Sequence, residues 1–160
     1  MSIGFAILTV GAQCVGAGDY EQVSYYTKKL IKIVYVSLVA ANILVVLAVP
    51  FIIEIYGLSP EASQYAHKIL IYHSICAVTI WPLSFSLPNT LRAAADVTYT
   101  MILSIISMWV FRIGFSVVLG VYLHMGVFGV WVAMTIDWLF RAICFVIRYL
   151  RGKWKHAALV

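Results

Sequence analysis

A run of residues without a charged side chain extends from Ile33 to Ile53 and constrains the fold of this chain more than any other feature. Its length matches the roughly 20 residues that an α-helix needs to cross a hydrocarbon core about 30 Å thick. Three further long apolar runs follow, at Ile69 to Leu87, Met101 to Tyr122 and Val127 to Ile147. The sequence therefore predicts a polytopic, all-α transmembrane bundle whose apolar surface contacts the lipid bilayer.

The composition excludes several classes of protein. Hydrophobic residues make up 64% of the chain and charged residues 11%, whereas a soluble domain carries about 25% charged residues. The net charge is +5. The basic residues lie mostly at the ends of apolar runs and form no stripe along one face, so no nucleic acid is expected as a partner. Cys14, Cys76 and Cys144 lie inside apolar segments without metal-ligand spacing, which indicates packing residues and no metal site. No catalytic triad, carboxylate pair or phosphate-binding loop is visible, so neither an enzyme nor a bound cofactor is expected.

The apolar runs divide the chain into helices of one unit. The predicted boundaries are residues 1–15 for a truncated first helix, 30–55, 67–88, 98–122 and 127–149 for four complete transmembrane helices, and 150–160 for a tail. The first segment is too short to span, and we interpret it as the end of a helix that begins in a longer reading frame. Pro50 and Pro82 fall inside spans and predict kinks.

The cations between the spans predict the topology. Lys28, Lys29 and Lys32 precede the first complete span, and Arg92 follows the second. Four more cations follow the last span: Arg148, Arg151, Lys153 and Lys155. These ends alternate as the positive-inside rule requires, so we expect them, and the C-terminus, to be cytoplasmic.

Three charged residues are predicted at membrane depth. Arg112 and Asp137 fall near the midpoints of the third and fourth spans, and Arg141 follows Asp137 by one turn. A charge at that depth costs several kcal/mol unless it is paired or hydrated. The trio forms either a structural ion-pair network, which we favour, or a coupling site in which Asp137 carries a proton or a sodium ion. Two arginines beside one carboxylate favour its ionised form, which makes a poor proton carrier.

The second span contains the most polar side chains, and we consider them as a candidate substrate cavity. They are Tyr72, His73, Trp81, Ser84 and Asn89. Aromatic faces can bind organic cations, although small and hydroxyl residues also serve helix packing. Both interpretations stay open for the group, and a packing role is favoured over proton transfer for His73.

Two loop motifs resemble those of the MATE multidrug efflux transporters. The segment from Gly11 to Asp19 is similar to the one that closes the second helix of each half in that family. The segment from Pro88 to Asp96 resembles the family's Leu-Arg-Ala-x-Gly-Asp loop after the tenth helix, with Ala95 in place of the usual glycine. The motif residues are Gly11, Gly16, Gly18, Asp19, Arg92 and Asp96.

The resemblance extends along the chain. Trp109 to Ile113 is similar to the eleventh helix, and Gly126 to Trp131 to the turn into the twelfth. It implies the end of helix eight and helices nine to twelve of a twelve-helix fold with two lobes, with the N-terminal lobe as a missing partner. The implied function is proton- or sodium-driven export of organic cations through a bacterial plasma membrane.

One position departs from the family pattern. In the NorM-like branch, a cation-binding carboxylate lies about eleven residues before the loop arginine, and counting back from Arg92 reaches Trp81. No Asp or Glu occurs between Glu61 and Asp96. Sodium binding of that type is therefore not expected, and the choice between proton and sodium stays open.

Two alternatives to drug export remain. A lipid-linked oligosaccharide flippase of the same superfamily would need a basic groove, to which Arg112 and Arg141 could contribute. The other alternative is a membrane subunit or fragment that does not transport and only packs against partners.

Overall fold

The computed structural model describes residues 2–57 and 59–155, and these residues form helices without any β-strand. The helices are α1 (Ser2–Gly16), α2 (Tyr20–Tyr56), α3 (Pro60–Thr79), α4 (Pro82–Ala93), α5 (Val97–Tyr122) and α6 (Gly126–Leu150). The predicted all-α class is thus confirmed.

The helices also have the lengths that a transmembrane bundle requires. α2, α5 and α6 are each long and apolar enough to cross a membrane, and α3 together with α4 qualifies as a fourth, bent span. α1 is apolar but shorter. Within the described part of the chain, length and composition therefore support the four predicted spans.

Two helices differ from their predicted limits. α2 begins at Tyr20, well before residue 30, because the Asp19 carboxylate caps it by accepting a hydrogen bond of 2.9 Å from the Gln22 amide. The predicted span over 67–88 is interrupted, and α3 and α4 are bent by 54°. Pro82 begins a π-helical segment, Pro82–Ser86, that opens α4. The missing amide hydrogen of Pro82 explains the break, and one of the two predicted kinks lies at this proline. The other predicted kink, at Pro50, falls inside the continuous helix α2.

The two loop motifs form the same kind of turn. At the end of α1, Gly18 has a φ of +74°, and the Asp19 amide donates to the Cys14 carbonyl oxygen at 3.0 Å. At the end of α4, Ala95 has a φ of +62°, and the Asp96 amide donates to the Leu91 carbonyl oxygen at 2.9 Å. Both are Schellman turns, in which a left-handed residue closes the helix.

A compact core joins these two turns to the end of α6. Its buried members are Val23, Leu87, Leu91, Ala94, Phe145 and Trp154. Trp154 is only 1% exposed, and its ring stacks on Tyr149 at 5.6 Å and meets the edge of Tyr20 at 6.0 Å. The sequence predicted a cytoplasmic tail over 150–160, but Trp154, in the described part of that segment, packs into the core. Residues 156–160 of the predicted tail lie outside the described residues.

The remaining surface is strongly apolar. In α2 and in α5, only 6% of the most apolar stretch of the helix is buried. In α6, the buried share of that stretch is 39%. Such exposure is unfavourable in water and is typical of a surface covered by lipid or by further protein.

Candidate functional site

An ion pair is buried between α5 and α6. The side chain of Asp137 is fully buried, and Arg141 is 8% exposed. Arg141 lies one turn further along α6 and binds both carboxylate oxygens: Nε donates to Oδ1 at 3.0 Å, and Nη2 donates to Oδ2. The Ser107 hydroxyl of α5 also donates to Oδ1. The carboxylate is therefore fully engaged by partners from two helices.

Arg112 does not join this pair, and the predicted trio is corrected to Ser107, Asp137 and Arg141. α5 faces α6 through Ser107 and through Phe111, whose ring packs on Phe140 at 4.6 Å. Arg112 is the next residue after Phe111, so its exposed side chain lies on a different face of α5. Equal depth in the membrane is therefore not enough to bring Arg112 to Asp137, because the face of the helix decides which residues meet.

The buried pair has the properties of a structural element. Removing one partner of a buried ion pair costs about 3–5 kcal/mol, because the other charge is left without compensation. The bidentate contact with Arg141 also adds geometric specificity, and together with Ser107 it occupies both carboxylate oxygens. This geometry supports the structural interpretation of the pair over a role as a proton carrier.

Two of the predicted cavity residues pack between α3 and α6. His73 lies edge-on against Trp131 at 5.1 Å and against Trp138 at 5.6 Å. Tyr72 packs on Phe128 at 5.3 Å. The Nδ1 atom of His73 is buried without a hydrogen-bond partner among the described residues. The contacts of both residues thus place them in a helix interface.

A third predicted residue, Ser84, is also away from the cavity. It is 2% exposed, and its hydroxyl has no hydrogen-bond partner among the described residues. It lies within the π-helical segment at the start of α4. The predicted group is therefore divided, and Trp81 and Asn89 are its members that line the cavity described next.

A cavity lies between α1, α2 and α4 and has a volume of about 500 Å³. It is lined by Ser2, Ile3, Gly4, Phe5, Val34, Ser37, Leu38, Ala41, Trp81, Phe85, Ser86, Asn89 and Arg92. Volumes between about 300 and 1,000 Å³ are usual for sites that bind drug-sized molecules. The cavity is open on one side, so these helices supply part of its wall.

The cavity has an aromatic wall and a polar end, both supplied by α4 and the break before it. Trp81 stacks on Phe85 with ring centres 5.3 Å apart. Asn89 donates from Nδ2 to the Phe85 carbonyl oxygen at 3.3 Å, and its Oδ1 accepts from Arg92 Nη1 at 3.1 Å. Phe85 was not among the predicted cavity residues, because the hydroxyl and polar pattern of the span does not indicate it.

A second ion pair connects one loop motif to the end of α6. Arg148 donates from Nε and Nη2 to the two carboxylate oxygens of Asp96, at 2.8 and 3.1 Å. The guanidinium of Arg148 also lies over the Tyr99 ring, 4.6 Å from its centre. Both residues were noted in the sequence, but nothing in a single sequence links two residues that lie so far apart along the chain.

These features define a polytopic helical membrane protein with a drug-sized cavity and two internal ion pairs. The family model described as MatE matches residues 1–118, so the chain belongs to the MatE family.

Two curated relatives are similar to this chain. The probable multidrug resistance protein YoeA of Bacillus subtilis (strain 168) is 25% identical over 141 residues, which are 82% of this chain and 28% of the relative. The probable multidrug resistance protein NorM of Thermotoga maritima is 25% identical over 162 residues, covering 99% of this chain and 34% of the relative. The chain thus spans about a third of the length of these relatives. No solved structure matches it.

Proposed function

We propose that this chain forms part of a cation-coupled antiporter that exports drugs and other xenobiotic organic cations across a bacterial plasma membrane. The observation that carries this proposal is the cavity of about 500 Å³ between α1, α2 and α4, in a chain of the MatE family. The names of the two relatives, both probable multidrug resistance proteins, agree with such a role.

The aromatic wall supplies the chemistry for this proposal. The faces of Trp81 and Phe85 carry a negative electrostatic potential, which attracts organic cations and contributes about 0.5–2 kcal/mol for each contact. Flat rings also pack against apolar substrates of many shapes, which suits a transporter of broad specificity. The open side of the cavity is closed, in this proposal, by a second lobe in the longer protein.

The coupling ion acts outside this cavity. None of the described residues that line it is acidic, and Asp137 is held by Arg141 and Ser107. The proposal therefore places the coupling carboxylate in another part of the transporter, and a proton and a sodium ion both remain candidates.

The proposed topology has a cytoplasmic C-terminus. The two Schellman turns, the end of α6 and Trp154 meet in one core. The basic residues Arg92, Arg148, Arg151 and Lys153 lie near this end of the bundle. Because basic residues favour the cytoplasmic side, this end is the one we assign to the cytoplasm.

An efflux assay tests the proposal. The longest reading frame that contains this chain is expressed in a drug-hypersensitive bacterial strain, and efflux of ethidium is followed while the proton and the sodium gradients are collapsed in turn. We expect efflux that stops when one of the gradients is removed, which identifies the coupling ion. Trp81→Leu should slow efflux about tenfold, by loss of the ring contacts. Trp109→Leu serves as the matched control, because Trp109 is 63% exposed and outside the cavity.

A membrane-inserted protein that moves no dye contradicts the proposal. If a lipid-linked oligosaccharide then raises its melting temperature, the flippase becomes the better description.

A further inference from the structure

The cavity contains an unneutralised cation at one end. Arg92 is the ionised residue among the described residues that line the cavity, and it forms no ion pair with any described carboxylate. The acidic residue nearest to it in sequence, Asp96, is bound by Arg148 through both oxygens. The positive charge of Arg92 is therefore available to a ligand.

Asn89 holds this arginine in place at the cavity. Its Oδ1 accepts from Arg92 Nη1, while its own amide group is fixed to the Phe85 carbonyl oxygen. A Cβ on Gly4 would lie 2.8 Å from Asn89 Nδ2, so the absence of a side chain at Gly4 gives the amide its space. A guanidinium has five N–H donors, and the contact with Asn89 uses one of them, so a fork for an acidic group remains.

The aromatic and the charged ends are separated along α4. Arg92 lies near the end of this helix, where Asn89 holds its guanidinium, and Phe85 lies one turn before Asn89, about 6 Å along the helix. The interfacial end of a span accommodates an ionised group at low cost, whereas the deeper end favours an aromatic ring. A ligand that fits both ends is an aromatic molecule with an acidic group on one side.

We infer that this cavity binds aromatic acids, with the ring on Trp81 and Phe85 and the acidic group on Arg92. This extends the range of ligands beyond organic cations, and as a description of a transport substrate it rests on the proposed function. Binding itself does not depend on transport, so the two ideas fail separately.

Equilibrium dialysis with the 160-residue chain in lipid nanodiscs tests the inference. The probes are anthracene carboxylate, anthracenemethanol and anthracenemethylammonium, which share one ring system and differ in charge, and nanodiscs without protein correct for partition into lipid. We expect the carboxylate to bind roughly tenfold more tightly than the alcohol, as for one charge-assisted hydrogen-bond pair. The ammonium probe can bind only through the ring faces and should bind less tightly than the carboxylate.

Three variants locate the charge that is responsible. Arg92→Gln should remove the preference for the carboxylate, and Arg92→Lys should retain part of it, because the charge stays while the fork is lost. Arg151→Gln removes the same charge from an exposed position outside the cavity and should change nothing. Circular dichroism verifies that the variants keep the same helicity.

Two results would overturn the inference. One is binding of the ammonium probe as tight as that of the carboxylate. The other is an Arg92→Gln protein that binds like Arg151→Gln. If the carboxylate binds as expected but the longer protein exports no dye, the inference stands and the proposed transport fails. If the longer protein exports dye but the chain shows no preference for the carboxylate, the proposed transport stands and the inference fails.

Discussion

At the scale of the single residue, Ala95 occupies a position that favours glycine. Its φ of +62° lies in the left-handed region, where an L-residue with a Cβ is less stable by about 1–2 kcal/mol. The equivalent residue of the other loop motif is Gly18, with a φ of +74°. Alanine in place of the motif glycine therefore introduces local backbone strain at this turn.

We predict that Ala95→Gly stabilises the protein by about 0.5–1 kcal/mol. The free energy gained by relieving the backbone strain exceeds the free-energy cost of the extra conformational entropy that glycine gives the unfolded chain. The measurement is the unfolding midpoint in mixed micelles of dodecyl maltoside and SDS. Ala40→Gly is the control: Ala40 is exposed in the interior of α2, so glycine there should destabilise the protein. A decrease in stability for both variants contradicts the left-handed conformation of Ala95.

The sequence identifies charged residues at membrane depth better than it identifies their partners. Asp137 and Arg141 are four residues apart, and helical periodicity alone brings them to one face. Arg112 has no such local relation to Asp137, and its place depends on the rotation of α5. A π-helical segment, Met108–Gly114, contains it, and such a segment shifts every later side chain from its expected angle.

At the scale of the helix, one glycine of the first motif lets α1 and α4 approach closely. A Cβ on Gly11 would lie 2.8 Å from the Ala93 Cβ, which is too short for two such atoms. Gly16 belongs to the same motif, but a Cβ there would meet nothing within 4 Å. The two glycines therefore offer a matched comparison between contact and local propensity.

Gly11→Ala should destabilise the protein by about 1–3 kcal/mol, because the two helices must move apart to accept the methyl group. Gly16→Ala should be neutral or slightly stabilising, since alanine is the better helix former. Both variants are measured by SDS unfolding in mixed micelles. Equal effects of the two substitutions would show that α1 and α4 do not approach each other as described.

The number of spans is easier to predict than their internal breaks. Charge-free runs fix the four spans, because the bilayer sets a minimum length. Pro82 indicates a kink, but the size of the bend and the side that opens depend on neighbouring helices. The bend divides the predicted cavity group. Trp81 and Asn89 face the space between α1, α2 and α4. Tyr72 and His73 lie on the other side of the bend, against α6.

At the scale of the whole molecule, the chain is held together at one end. Trp154 contacts Tyr20 at the start of α2 and Tyr149 near the end of α6, and it packs in the core with Leu87 and Leu91 of α4. A tail of basic residues predicts a solvated segment, and the sequence does not reveal that its tryptophan folds back. That contact depends on the turn at Gly152, whose φ is +67°.

We predict that Trp154→Ala costs about 3 kcal/mol of unfolding free energy, because a large buried ring and its packing are lost. Its indole Nε1 also donates to the Tyr149 carbonyl oxygen at 2.9 Å, a bond that alanine cannot replace. Trp109→Ala removes a ring of the same size from an exposed site on α5 and should cost less than about 1 kcal/mol. The unfolding midpoint of the two variants in mixed micelles gives the comparison. If Trp154→Ala is no more destabilising than Trp109→Ala, the tail does not join α2, α4 and α6, and this end of the bundle must be held by the ion pair of Asp96 with Arg148 instead.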